Sequence, residues 1–277
     1  MGVHRAPRRK GLWRKPFVWL AGCLCVVSLG AAAAYGAGLA DPLLEKLSNA
    51  QPIEVAETAW LTGPELGPQG YVLPAESGAS ESDLKGYLEK PSKPSGDFAG
   101  WLSRHGAVSV GAVVWQVTLV GGLSAEVVVV GLRPVLDGSC TPAAPGGTLV
   151  EAVSEGVVGQ AVFDTDIDAK DPVFVLVDVD AKRKPAFTDT VLKVVKGERH
   201  VLLFRANSRG PHCRFRIEVN YHLDRRMHTM MLAAPGGRPF EVTGYAAYKW
   251  VYRPPIVCGK AVRVAGEGWE PKSTRCS

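Results

Sequence analysis

The stretch His212-Cys213-Arg214-Phe215-Arg216-Ile217-Glu218-Val219-Asn220-Tyr221-His222 carries an apolar residue or Cys at every odd position and a polar one at every even position. Successive side chains of a β-strand point to opposite faces, so this alternation describes a strand with one buried and one wet face. Strand-like runs recur on both sides of it, over residues 110–120, 125–136, 160–166, 172–177, 188–195, 199–206, 226–233 and 239–242. Breakers such as Gly121-Gly122 and Pro235-Gly236-Gly237 separate most of them. So many short strands with few helices between them predict a mainly β fold, with an antiparallel β-sandwich over residues 107–244.

The chain before this region reads differently. Residues 41–106 mix Pro, Gly, Ser and acids, which predicts a stalk or linker with short ordered pieces. Within it, Gln51 to Ala59 can be extended, and Ser80 to Lys90 suits a short helix ahead of Pro91. A second helix fits Asp97 to His105, with Asp97 as cap, Phe98, Trp101 and Leu102 on one face, and Gly106 as stop. Residues 245–277 are expected to form a C-terminal extension closed by a disulfide. A near-repeat, Asp166-Ile167-Asp168-Ala169-Lys170 against Asp178-Val179-Asp180-Ala181-Lys182, occurs only twice and describes no solenoid.

Phe17 to Ala40 is a run of 24 residues without a charge, where about 20 suffice for a membrane-spanning helix. Six basic residues lie in the tail before it, residues 1–16, and Asp41 and Glu45 follow it. Cytoplasmic flanks are the ones rich in Lys and Arg, so the N-terminus is expected inside and residues 41–277 outside, at the cell membrane. Two processing routes compete with a retained anchor. Leu20-Ala21-Gly22-Cys23 matches a lipobox, though with a short apolar core before it, and small residues at Ala34 and Ala40 suit signal cleavage.

The order of this span, then Gly70-Tyr71-Val72-Leu73-Pro74, Gly106-Ala107-Val108, Val130-Gly131-Leu132-Arg133-Pro134, Asp178-Val179-Asp180 with Pro185, and Gly236-Gly237-Arg238-Pro239-Phe240 with Thr243-Gly244 resembles a group of uncharacterised single-pass membrane proteins of high-GC Gram-positive bacteria. The likeness runs from about residue 10 to 245. It implies location and a β-rich extracytoplasmic domain, and it carries no activity with it.

Composition narrows the function classes. With 277 residues, 46% hydrophobic and 21% charged, the chain is neither wholly disordered, nor collagenous, nor a polytopic transporter. The formal charge of +5 resides in the N-terminal tail, since 26 basic and 27 acidic residues remain after residue 40. No general nucleic-acid surface is expected. Four cysteines, Cys140, Cys213, Cys258 and Cys276, lie beyond the span. An even number in an oxidising compartment favours two disulfides, with three connectivities open. The favoured pairing joins Cys140 to Cys213, a loop to a strand's inward face, and Cys258 to Cys276, closing a compact loop.

Candidate chemistry is sparse. Asp164, Asp166 and Asp168 alternate like calcium-loop ligands, but Ala169 and Val175 stand where an EF-hand needs Gly and Glu. A looser calcium site would use Asp164, Asp166, Asp168, Asp178 and Asp180; an acidic strand face is the plainer reading. His200, His212, His222 and His228 would need to converge to hold zinc. Gly-x-Ser-x-Gly, Walker A and His-Glu-x-x-His signatures are absent, and no cofactor is expected. Charge, in contrast, is segregated: residues 41–181 hold 7 basic and 20 acidic residues, and 182–226 hold 12 and 4. If Arg205, Arg209, Arg214, Arg216, Arg225 and Arg226 cluster, they form an anion-attracting patch for an anionic envelope polymer, a lipid headgroup surface or an acidic protein partner. The competing arrangement pairs them across strands with acids. The function expected is a membrane-anchored binding or scaffolding module of the cell envelope without catalysis. The alternative is an envelope enzyme, such as a metal-dependent hydrolase, with an unfamiliar site.

Overall fold

The structure, a computed structural model, describes residues 51–62, 70–89, 95–143, 147–151, 161–177, 183–185, 192–246, 248–253, 258 and 260–266, all within one compact unit that begins at Gln51. Among the described residues the fold is mainly β, with two α-helices and two mixed sheets. The smaller sheet has the order β1 (Ile53–Trp60), β4 (Ala112–Gly121), β12 (Arg199–Asn207), β8 (Val162–Asp166), β9 (Val175–Val177) and β10 (Arg183–Pro185). The larger sheet runs β11 (Leu192–Val194), β5 (Val127–Leu136), β13 (Pro211–Leu223), β15 (Phe240–Thr243), β3 (Val108–Val110), β2 (Gly70–Leu73), β7 (Thr148–Glu151), β16 (Trp250–Arg253) and β17 (Val262–Ala265). Two further strands, β6 (Thr141–Pro142) and β14 (Arg226–Leu232), also pair with β13.

The alternating stretch forms the centre of the larger sheet. Cys213, Phe215, Ile217, Val219 and Tyr221 are buried along β13, while Arg214 is exposed and Arg216, Glu218 and Asn220 are half-buried. Its inward residues meet Val127, Val129 and Leu132 of their own sheet and Val113, Val117, Leu119, Leu202 and Phe204 of the other in one apolar cluster. A tight hairpin joins β13 to β14: Leu223 faces Arg226, and Asp224 and Arg225 between them have φ of 50° and 63°. Positive φ at both central positions gives the turn the twist that flanking strands require.

Three features depart from the sequence expectation. The sheets are not purely antiparallel: β8 and β12, β3 and β15, and β7 and β16 pair in parallel. Such partners come from distant parts of the chain, whereas hairpin partners are adjacent in sequence. Second, residues 41–106 are not merely a stalk. Ile53–Trp60 pairs antiparallel with β4, and Gly70–Leu73 lies between β3 and β7. Helices α1 (Glu81–Glu89) and α2 (Ser95–Arg104) follow, the latter starting two residues earlier than expected, so that Asp97 falls inside its first turn. Third, Trp250–Arg253 and Val262–Ala265 of the supposed extension are strands of the larger sheet.

Aromatic packing explains why the segment before residue 107 folds onto the sheets. Trp101 and Leu102 of α2 and Leu84 of α1 are buried with Tyr71, Leu73, Val150 and Tyr252. Ring contacts continue from Trp101 to Phe98 at 6.2 Å, Phe98 to Tyr71 at 5.8 Å, Tyr71 to Trp60 at 5.6 Å and Trp60 to Trp115 at 6.1 Å. Each such pair adds about 0.5–1.5 kcal/mol beyond its buried area. Among the described residues no helix is long and apolar enough to cross a membrane, and the expected span at residues 17–40 lies outside them.

Candidate functional site

The parallel pairing of β8 with β12 sets Asp164 beside Arg205 and Asp166 beside Asn207. The alternate pair, Phe163 with Phe204, turns the other way, its rings 5.6 Å apart against the apolar core. Side-chain alternation therefore gathers Asp164, Asp166, Arg205 and Asn207 on the face opposite the core. Arg205 Nε donates to Asp164 Oδ1 at 2.7 Å, and Asn207 Nδ2 donates to the same oxygen at 2.8 Å and to the Thr165 carbonyl at 2.9 Å. The Asp164 side chain is 3% exposed and that of Arg205 24%. A carboxylate buried this deeply is tolerable because a cation and a carboxamide both satisfy it.

The loops beyond the strand ends close the site. The Asp166 carboxylate accepts from Asp168 N at 3.1 Å, the local turn that Asp side chains favour. Asp168 in turn accepts from Arg209 N at 2.7 Å and Ser208 Oγ at 2.9 Å, fixing the chain after β12. Gly244 lets that chain pass: a Cβ there would stand 2.2 Å from Gly210 N. Tyr245 follows directly, its hydroxyl buried, and burial first, then Tyr248 and Glu151, pushes that phenol well above its usual range. The result is a polar cleft of ≈ 390 Å³ whose wall includes Asp164, Asp166, Arg205, Asn207, Arg209 and Tyr245.

The described residues place the expected sets as follows. Of the five aspartates considered for calcium, Asp178 and Asp180 lie outside the described residues. The other three spend carboxylate oxygens on Arg205 and Asn207, on Asp168 N, and on Ser208 and Arg209 N. Among the described residues no group of three or more His, Cys, Asp or Glu side chains is placed to hold a metal ion. The positive charge beside Asp164 is a guanidinium, delivered by a neighbouring strand whose parallel register is not visible in the sequence.

The six arginines do not form one patch. Arg205 and Arg209 line the cleft. Arg214 and Arg216 stand on the wet face of the larger sheet, with Arg214 3.6 Å from Glu241 and Arg216 3.7 Å from Asp137. Arg225 and Arg226 lie at the hairpin that joins β13 to β14. The wet face of β13 is thus the cross-strand charge ladder, continued by His212 with Glu241 at 3.1 Å and Arg133 with Glu218 at 3.0 Å. The hydrogen bond from His212, then the charges of Arg214 and His212, hold the Glu241 carboxyl below its usual range against the opposing effect of burial. Asn220 and Arg133 do the same for Glu218. Exposed pairs of this kind contribute about 0–1 kcal/mol each. His228 stacks on Tyr221 at 5.5 Å, and His200 lies 3.5 Å from Glu198, so the histidines are dispersed.

Sequence reasoning missed Asn207, Ser208 and Tyr245. Polar residues following a strand give no signal of their own until the neighbouring strand is known. The disulfide Cys140–Cys213 is present, its Cα atoms 4.4 Å apart, and Cys258 is also disulfide-bonded, while Cys276 lies outside the described residues. Comparison with protein-family models, curated proteins and solved structures finds no match to this chain.

Proposed function

We propose that the chain is a membrane-anchored extracytoplasmic binding module of the cell envelope, built as a β-sandwich whose two sheets enclose the main core, and that it does not act as an enzyme. The anchor is the uncharged run at residues 17–40, with the basic tail inside, as the resemblance to single-pass membrane proteins of high-GC Gram-positive bacteria also implies. The observation that carries the location is the disulfide pattern: Cys140 and Cys213 are joined and Cys258 is oxidised. Such bonds persist in oxidising compartments and are rare where glutathione and thioredoxin keep thiols reduced. The cleft beside β8 and β12 is the binding site. A binding role suits it because its buried carboxylate is engaged by Arg205 and Asn207 rather than poised as an acid or base.

The oxidation state is open to direct measurement. Full-length protein recovered from the envelope after thiol trapping, digested and mapped without reduction, is expected to yield a peptide linking Cys140 to Cys213 and a second linked peptide containing Cys258. Free thiols at all three positions would contradict an extracytoplasmic location.

A further inference from the structure

We infer that the cleft between β8, β12 and Tyr245 binds a sugar bearing a carboxylate, as a unit of an acidic envelope polysaccharide; this inference rests on the binding-module reading above and gives its ligand. Arg205 supplies the donors. Its Nε is spent on Asp164 at 2.7 Å, which fixes the guanidinium from one edge and leaves its two Nη groups as a pair of parallel donors on a residue that lines the cleft. A fork of this kind matches the two oxygens of a carboxylate. Holding it from one side removes much of the ordering cost that a free arginine would bring to binding.

The rest of the wall fits the remainder of such a ligand. Both hydrogens of the Asn207 carboxamide are committed, to Asp164 Oδ1 and to the Thr165 carbonyl, so its Oδ1 is set as an acceptor. Asp166 adds a carboxylate of which one oxygen takes Asp168 N. These acceptors suit sugar hydroxyls, which donate without bringing charge. Asp164, Asp166 and the adjoining Asp168 outnumber Arg205 and Arg209, so the cleft has no net positive field to attract a doubly charged phosphate, and the single fork of donors on Arg205 suits one carboxylate. An ammonium group would need a desolvated, unpaired carboxylate, and the buried one here is already neutralised by Arg205. Tyr245 completes the wall, its ring packed against the cluster of Leu149, Tyr248 and Val251. The volume of ≈ 390 Å³ is near the small end for ligand sites, and Arg209 at its exposed rim leaves room for a chain to continue past it.

Full-length protein in nanodiscs of zwitterionic lipid is titrated with sodium glucuronate, glucose, alanine and inorganic phosphate, followed by calorimetry and ligand-observed NMR. Glucuronate is expected to saturate at millimolar concentration and the other three to bind at least ~10-fold more weakly, a difference of about 1.4 kcal/mol. Arg205→Lys, which keeps a charge against Asp164 but loses the fork, is expected to weaken glucuronate by ~10-fold or more. Because that change touches a buried pair, Arg209→Ser serves as a second variant: its backbone N–H still reaches Asp168, and a several-fold loss is expected without a change in unfolding midpoint. Arg214→Ser with Arg216→Ser, on the other sheet, is expected to bind glucuronate like the parent. Equal binding of glucose, preference for alanine or phosphate, no saturation by glucuronate, or loss confined to the Arg214/Arg216 variant would each overturn the inference. Thiol mapping distinguishes the two levels: reduced cysteines in the envelope protein sink the location whatever the cleft binds, whereas oxidised cysteines without glucuronate binding sink only the ligand.

Discussion

Arg253→Met is expected to destabilise the folded unit by about 3–5 kcal/mol, the cost of leaving one member of a buried ion pair alone. Arg253 is 1% exposed and Glu151 11%, and the guanidinium meets the carboxylate in a fork, Nε to Oε2 at 2.8 Å and Nη2 to Oε1 at 3.3 Å. The geometry follows from the register of β7 and β16, whose parallel pairing runs through Tyr252 and Val150, the residues just before this pair. Removing the arginine strands the carboxylate on the sheet face that it shares with Leu149 and Val251, both fully buried. Removing both charges leaves no stranded group, so Glu151→Leu with Arg253→Met is expected to recover much of the loss. Equilibrium denaturation of the single and double variants measures this directly. A single variant as stable as the parent would mean that water reaches Glu151.

The second large effect is expected from Cys140→Ala with Cys213→Ala, which should cost about 2–5 kcal/mol. The bond spans 73 residues of sequence, and on the chain-entropy model closing a loop of that length restricts the unfolded state by about 4 kcal/mol. Cys213 is fully buried within the main cluster and Cys140 packs against it, so alanine also leaves unfilled volume there. Denaturation midpoints with and without reductant test it. The parent should lose stability on reduction, and the double alanine variant should be insensitive to reductant at this bond.

The contrast between these residues and the arginines of β13 shows what could be read from the chain. Alternation over residues 212–222 was enough to place Phe215 and Ile217 inside and Arg214 outside, because one strand with a single buried face has only one way to satisfy its pattern. The same local logic located most of the other strands, both helices and the Cys140–Cys213 partners. It failed where partners are far apart in sequence. Nothing in Trp-Val-Tyr-Arg at 250–253 marks Arg253 as buried, because its partner Glu151 lies 102 residues earlier. Gly70–Leu73 carries no period to distinguish a central strand from a linker, and its place between β3 and β7 is decided by both neighbours. The cleft was half legible. The sequence marks Asp164, Asp166, Arg205 and Arg209, but as members of two separate sets, an acidic one and a basic one. The parallel register of β8 on β12 brings them together, and there an arginine, rather than a cation from solution, meets the buried aspartate.

The central claim, an outward-facing module held by a span at residues 17–40, is tested most directly by thiol accessibility in intact protoplasts. Single cysteines are introduced by Glu76→Cys, at an exposed position of the folded unit, and by Val3→Cys in the basic tail. Labelling with a membrane-impermeant maleimide is then compared with that of the parent chain. Glu76→Cys is expected to react before lysis and Val3→Cys only after it. Reaction of Val3→Cys in intact protoplasts, with Glu76→Cys protected until lysis, would contradict the account.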